Sequence, residues 1–340
     1  MSALLRPAGA PAPFQVRYST EPVERILAAA SDHLLAAVSF GGAAAPDDPC
    51  HISVHLRPLA RNCVEVWTST TPVTRGAEQG LRYASNADVL FGCLQLDERT
   101  HATLDEAAES GYRRILAFLR QHSYRHALRI WNFFPGINAQ TDTGCADSER
   151  YRQFSIGRAR TFDKFALFER ALPAASAIGT YEPGLLVYFI AAREPGLQVE
   201  NPRQVPAFQY PRQYGPTSPS FSRAQLKSWG AEAHLYISGT ASVVGHESRH
   251  LDNVDAQIEE IRRNIDALLD QAAQTDPRFR GTGPEKLSLL RVYARPPHDI
   301  DAIRASVNKR FGPLPTLYLE GDICRQELLV EIEGYCCVSG

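Results

Sequence analysis

The sequence predicts an α+β fold in which one unit, read as strand, helix, strand, helix, strand, occurs twice in tandem. Strand-like and helix-like segments recur in the same order in both halves, and a proline- and glutamine-rich stretch at 194–220 separates them. The scale agrees: 340 residues, 44% hydrophobic and 22% charged, are enough chain for two or three ordinary globular domains. The chain accordingly divides into an N-terminal region at 1–70, a central domain at 71–197 and a C-terminal domain at 198–340.

Each element follows from local pattern. In the first half, 89–95 reads as a strand. Thr103-Leu104-Asp105-Glu106 then opens a helix as a capping box, in which threonine and glutamate satisfy free backbone donors. Its apolar stripe is Leu104, Ala108, Ile115, Phe118 and Leu119. In the second half, 234–240 is the strand, and the following helix carries Val254, Ile258, Ile261, Ile265, Leu268 and Leu269, with Asp252 or Asn253 as cap. Segments 128–134 and 289–295 are β-rich, second helices are expected at 148–172 and 299–311, and closing strands at 185–190 and 328–333. The N-terminal region is less legible, with strands near 52–56 and 64–68.

Composition excludes several classes. A formal net charge of −2 with scattered acids and bases argues against nucleic acid as a partner. No apolar run approaches the roughly 20 residues of a membrane span. The start of the chain lacks a long apolar block, so a frayed, cytoplasmic N-terminus is expected. Cys50, Cys63, Cys93, Cys145, Cys324, Cys336 and Cys337 form no CxxC pair and read as free thiols in a reducing compartment. Lysine occurs only at 164, 227, 286 and 309, so positive charge is nearly all guanidinium, as a GC-rich genome also produces.

The motif His246-Glu247-Ser248-Arg249-His250 satisfies HExxH, which holds zinc when a helix brings both imidazoles to one face. Gly245 precedes it and the helical stripe starts only after Asn253, so it falls in a loop and a metal site is not expected. No nucleophile elbow or phosphate-binding glycine loop is present. Comparison of the two halves is more informative. Glu331 stands where the first half has Tyr188, inside an otherwise apolar strand; burying a carboxylate is costly unless it is paired or protonated. An edge strand facing water is the alternative, and Glu333, pointing the same way, weakens the signal. Tyr151 and Arg158, seven apart, share a helical face that can grip a carboxylate, or form part of a solvated arginine-rich helix. Tyr210, Tyr214 and Arg223 lie in a proline- and glycine-dense segment that reads equally as a rigid site loop or a linker. Gly239, a lone glycine at a strand end, reads as a bulge or close packing.

With Gly215-Pro216, Tyr236-Ile237-Ser238-Gly239, Ala256-Gln257 and Val330-Glu331-Ile332-Glu333 in order, the second half resembles the reactive-intermediate deaminase (YjgF/Rid-like) fold. The first half resembles a diverged copy. Thr316 occupies the position of that family's carboxylate-binding arginine, which sets the chain apart from simple imine deamination. The motifs YRQFSIGRA, PRQYGP, PSFSRA, SGTAS and Cys324 seven before Glu331 make the chain similar over nearly its whole length to the chorismatases. The resemblance implies tandem Rid-like (chorismate-mutase-like) domains in pseudo-threefold arrangement, a monomer, and an active site between the central and C-terminal domains.

The resemblance also implies elimination of pyruvate from chorismate. Gly239 and Cys324 match the branch giving 3-hydroxybenzoate, some members also releasing 4-hydroxybenzoate; the hydrolase branch, giving 3,4-dihydroxycyclohexa-1,5-diene carboxylate, carries alanine and a β-branched aliphatic there. On this reading Glu331 is the general acid/base and Cys324 orients the ring hydroxyl or shuttles its proton. Arg158 with Tyr151, and Arg223 with Tyr214, bind substrate beside Gly239. Proton transfer and elimination need no metal or organic cofactor. A non-catalytic binder of small acids is the alternative from another class.

Overall fold

The computed structural model describes residues 9–29, 32–42, 47–141, 147–165, 172–296 and 299–340. Cys145 lies outside these residues, as does 166–171 of the helix expected at 148–172. The first unit runs β1 (Phe14–Ser19), α1 (Val23–Ala29), β2 (Leu34–Phe40), β3 (His51–Val54) and β4 (Val64–Ser69). The second has β5 (Thr74–Glu78), β6 (Leu81–Ser85), β7 (Val89–Leu96), α2 (Leu104–Gln121), β8 (His126–Pro135), α3 (Arg150–Lys164), β9 (Ala174–Thr180) and β10 (Leu185–Ala192). The third has β11 (Leu197–Val199), β12 (Ala224–Ser228), β13 (Glu232–Thr240), a short hairpin of β14 (Val243–Val244) and β15 (Glu247–Ser248), α4 (Val254–Thr275), β16 (Leu289–Ala294), α5 (Ile300–Phe311), β17 (Thr316–Glu320) and β18 (Val330–Ser339).

The second and third units are six-stranded sheets of the same order, β5-β6-β7-β10-β8-β9 and β11-β12-β13-β18-β16-β17. The duplication expected from the sequence is present, with three strands more in each sheet: a leading pair, β5-β6 and β11-β12, and β9 and β17, each parallel to the strand before it in the chain. The region that reads least clearly in the sequence is a third version of the same topology. Its order, β1-β4-β2-β3, repeats β7-β10-β8-β9, with β2 and β3 parallel and the rest antiparallel. Among the described residues it carries one short helix and no flanking hairpin.

All three sheets contribute to one core. Phe14, Val38 and Trp67 of the first, Phe91, Trp131 and Tyr188 of the second, and Tyr236, Tyr293 and Leu317 of the third belong to one buried cluster. Helices α2 and α3 cover the opposite face of the second sheet and α4 and α5 that of the third, each with its own apolar cluster. The capping box of α2 forms: Thr103 Oγ1 accepts from Glu106 N (3.4 Å), and the Glu106 carboxylate accepts from Ala102 N (3.2 Å). Asn253 caps α4, accepting from Ala256 N (3.0 Å). Close packing of α3 on α2 requires Gly157, where a Cβ would collide with the Asp105 carbonyl oxygen. That approach fixes the face carrying Tyr151 and Arg158.

Neighbouring units meet edge to loop. Gly179 at the β9 edge exchanges backbone hydrogen bonds with Asp322, just after β17 (2.8 and 3.1 Å). In the corresponding place on the third unit, Leu59 N and Glu320 N bond to Tyr318 O and Arg57 O, after β3 (2.9 and 2.8 Å). Edge strands β9 and β17 are thereby covered rather than left open.

Candidate active site

The seam between the second and third units also holds the main cavity. β9 runs beside the end of β13, with Ala175 N donating to Ser238 Oγ (2.9 Å) and Gly239 N to Ser176 Oγ (3.1 Å). At that point β13 loses register with β18 between Ile237 and Thr240, a bulge at Ser238-Gly239. Bulges re-aim side chains and terminate pairing beside active sites. Both readings of Gly239, bulge and site residue, therefore fall on one geometric feature. A Cβ there would collide with Glu331 Oε1, so glycine is what gives the carboxyl its place.

A cavity of about 380 Å³ opens at this seam, within the size range of small-molecule sites. Tyr151 comes to it from α3, Tyr210, Tyr214 and Arg223 from the segment before β12, Gly239 from β13, and Cys324, Arg325 and Glu331 from the third unit's end. A side pocket of about 40 Å³ continues inward past Tyr151, Phe221, Gly239, Cys324 and Glu331 to Ser176 and Arg158. Tyr151, Arg158, Tyr214, Arg223, Gly239, Cys324 and Glu331 thus each border one of two adjoining pockets that share part of their lining. The segment at 194–220 is wall rather than mere linker.

Glu331 is 4% exposed and sits on β18, an interior strand between β13 and β16, so the edge-strand alternative does not hold. Burial raises its pKa to about 8, reinforced by the neighbouring Glu333 and opposed by Arg129 and Arg223. At neutral pH it is a protonated acid. Glu333 does not dilute this signal as the sequence suggested; it is buried too, and oppositely tuned. Burial pushes it up, but Arg291, Arg129 and hydrogen bonds from Ser176 and Tyr293 together hold it below the usual carboxylate range.

Arg158 is fully enclosed, its guanidinium 5.1 Å from the ring centres of both Tyr112 and Phe162. Its Nε and Nη2 have no hydrogen-bond partner among the described residues. Two buried, unpaired guanidinium donors beside a side pocket are a ready grip for a carboxylate. Arg223 and Tyr214, both expected to bind substrate, both line the cavity but have different partners. Arg223 Nη2 donates to Tyr210 Oη (2.7 Å) and Val205 O (2.9 Å), and its Nε is left unpaired. Tyr214 instead bonds His246 Nδ1 (3.1 Å) and lies under Arg325, whose guanidinium is 4.1 Å from the ring centre. Tyr210 follows one 3-10 turn and Tyr214 closes the next, so the two rings reach different neighbours, Tyr214 meeting the β14–β15 turn at His246. Arg325 escaped the sequence reading because it lies in an aperiodic loop; its spacing six before Glu331 was the available signal.

The Cys324 thiol is pushed up to about 12 by burial and by Glu331, so it is a neutral hydrogen-bonding group and not a thiolate nucleophile. The HExxH string lies in the hairpin and the following turn, well before α4. Its imidazoles have separate partners: His246 meets Tyr214 and His250 meets Glu260 at 3.5 Å. Among the described residues, Glu232, His234 and Cys337 bring possible metal-ligand atoms within 4.8 Å of one another. Trp229 Nε1 donates to His234 Nδ1 (2.9 Å), which leaves the proton on the nitrogen facing that group and suits no metal.

A buried carboxyl facing a cavity with several arginines fits the class of small-molecule enzymes that take an anionic ligand. The comparisons agree. Residues 65–191 match the family described as chorismatase FkbO/Hyg5-like, N-terminal. A 3-hydroxybenzoate synthase from Streptomyces hygroscopicus is 34% identical over 286 residues, 82% of this chain and 83% of that protein. A chorismatase from Streptomyces rapamycinicus is 36% identical over 277 residues, 79% and 81%. A crystal structure of a chorismatase superposes with a TM-score of 0.84 at 28% identity, over 96% of this chain and 98% of that one. The chain belongs to the chorismatase family.

Proposed function

We propose that this protein eliminates pyruvate from chorismate and releases 3-hydroxybenzoate. The observation that carries this reading is the buried, protonated Glu331 at the junction of the cavity and the pocket that ends at Arg158. Chorismate is a dianion with an enolpyruvyl ether on a cyclohexadiene ring. The side pocket is too small for the ring, so one carboxylate enters it and meets the unpaired donors of Arg158. Arg223 and Arg325, on the walls of the main cavity, face the other. Holding both ends fixes the ether against Glu331 before any bond changes.

Glu331 then protonates the methylene carbon of the enolpyruvyl group. The resulting cation is stabilised by the ether oxygen, the ring C–O bond breaks with its electron pair passing to that oxygen, and pyruvate forms. As that bond breaks, the neighbouring ring hydroxyl oxygen bonds to the carbon that the ether leaves and gives up its proton. Its original C–O bond then opens as the oxygen is reprotonated, and the carbon now bearing it loses its C–H proton as the ring becomes aromatic, which places the hydroxyl at the 3-position. Two protons enter and two leave, all atoms of chorismate are conserved in the two products, and no net water is consumed. The neutral Cys324 thiol beside Glu331 orients the ring hydroxyl. Three units share one core within a single chain, which suits a monomer as the working form, and the free thiols among the described residues suit the cytoplasm.

Incubation of the purified protein with chorismate tests the reading, with chromatography of aromatic products and enzymatic assay of pyruvate. Equimolar 3-hydroxybenzoate and pyruvate are expected, with 4-hydroxybenzoate as a minor product. Binding of chorismate with no pyruvate released would overturn it in favour of a small-acid binder, and the non-aromatic diol would assign the hydrolase branch.

A further inference from the structure

We propose that Glu333 is a positioning residue of this reaction: an ionised carboxylate, fixed one strand repeat from Glu331, that keeps Glu331 the proton donor and drives it back to that form after each turnover. This rests on the acid role given to Glu331 above. Strand β18 turns both side chains to the same face, and Glu333 is 5% exposed. Its carboxylate accepts from Trp131 Nε1 (3.0 Å), Tyr293 Oη (3.0 Å) and Ser176 Oγ (2.5 Å), and pairs with Arg129 and with Arg291 (2.9 Å). Arg291 also donates to Glu65 (2.6 Å), on the first sheet. All three units therefore meet at this carboxylate, far more anchoring than a core needs when apolar residues of similar size serve as well.

The charges balance without Glu331. Arg129 and Arg291 neutralise Glu333 and Glu65, so an ionised Glu331 adds a third carboxylate, and one unbalanced negative charge, to a satisfied cluster. The groups facing Glu331 are Glu333 on its own strand, Tyr293 opposite on β16, Arg129 from β8, Arg223 before β12, Tyr151 and Arg158 from α3, and Cys324. Of the cations, Arg129 is already engaged by Glu333. Ser176, which borders Glu331, spends its only proton on Glu333 and accepts from Gly239 N, so it offers the Glu331 carboxylate no donor. Two adjacent carboxyls with opposed environments are the arrangement that separates an acid from a permanent anion. After Glu331 gives up its proton, repulsion from Glu333 makes it the base that takes the ring proton.

The test is the pH profile of kcat/KM. In Glu333→Gln the alkaline limb moves at least one pH unit lower, so activity at pH 8 falls at least tenfold relative to pH 6. Glu65→Gln, which removes the distant carboxylate of the same network, leaves the limb in place, and Glu333→Asp, which retains the charge, restores most of it. A limb unmoved in folded Glu333→Gln would overturn the proposal, as would an equal shift in Glu65→Gln. Infrared difference spectra of the wild-type protein against Glu331→Gln, and against Glu333→Gln if it folds, read the carboxyls without turnover. One protonated carboxyl at pH 7, absent from Glu331→Gln, is expected; a protonated carboxyl persisting in Glu331→Gln and lost with Glu333 would overturn the proposal. Failure of the chorismate assay would overturn the proposed reaction and with it the turnover role of Glu333, whereas the infrared spectra separately read which of the two carboxyls holds the proton.

Discussion

In the second unit, Tyr188 on β10 lies opposite Trp131 on β8; in the third, Glu331 on β18 lies opposite Tyr293 on β16. Two residues further, Ile190 pairs with Arg129 and Glu333 with Arg291. The two arginines occupy one position of a repeated motif, Leu-Arg-Ile-Trp and Leu-Arg-Val-Tyr. Tyr188 is spent on packing: its ring stacks on Trp131 at 4.7 Å between centres and its hydroxyl accepts from Arg291 (2.8 Å). The difference has a backbone cause. β7 keeps unbroken register with β10, whereas β13 bulges at Ser238-Gly239 and frees space for a carboxyl. A duplicated fold thus gained a site where one copy kept a packed seam and the other opened its own.

The comparison breaks most readily at Arg158, which belongs to the second unit but serves the third unit's acid. Arg158→Ala removes two charge-assisted donors and raises KM for chorismate about 100-fold with a much smaller change in kcat, by steady-state kinetics. Gly239→Ala with Cys324→Val closes the space the bulge opens. It lowers total turnover about tenfold, by loss of the oriented acid, and shifts the main product from 3-hydroxybenzoate to the diol, read by chromatography. The pH profile sharpens the comparison further. Because the folded pKa of Glu331, about 8, lies above the ordinary carboxyl value, the active acid is present below it, so kcat/KM is flat from pH 6 to 7.5 and about tenfold lower at pH 9 than on the plateau. The smallest effect belongs to the packed copy: Tyr188→Phe costs about 1 kcal/mol in denaturant unfolding and leaves turnover within twofold.

Much of this architecture is written locally. Helices α2 and α4 are legible because capping residues and apolar stripes agree, the interior strand β10 because it is a continuous apolar run, and β13 because Leu235-Tyr236-Ile237 is rich in β-forming residues. β9 is not, since Ala174-Ala175-Ser176-Ala177 lacks the β-branched and aromatic residues that mark strands, and it is held in place by β8 and the third unit. The first unit hides because its one helix among the described residues, α1, is only seven residues long and shows too short an apolar stripe to mark the repeat. Glu331 is legible only through comparison of the two copies. Ser176 and the Glu333 network are set by contacts between units more than 100 residues apart, and Arg325 by contacts with distant loops of its own unit, which no local window contains.

The central claim is that Glu331 is the acid that starts the reaction. The most direct measurement is pyruvate release from chorismate by Glu331→Gln at pH 7, with chorismate affinity taken by calorimetry on the same sample. The structure predicts turnover reduced at least 100-fold with affinity within a few-fold of wild type. Turnover within threefold of wild type would contradict it.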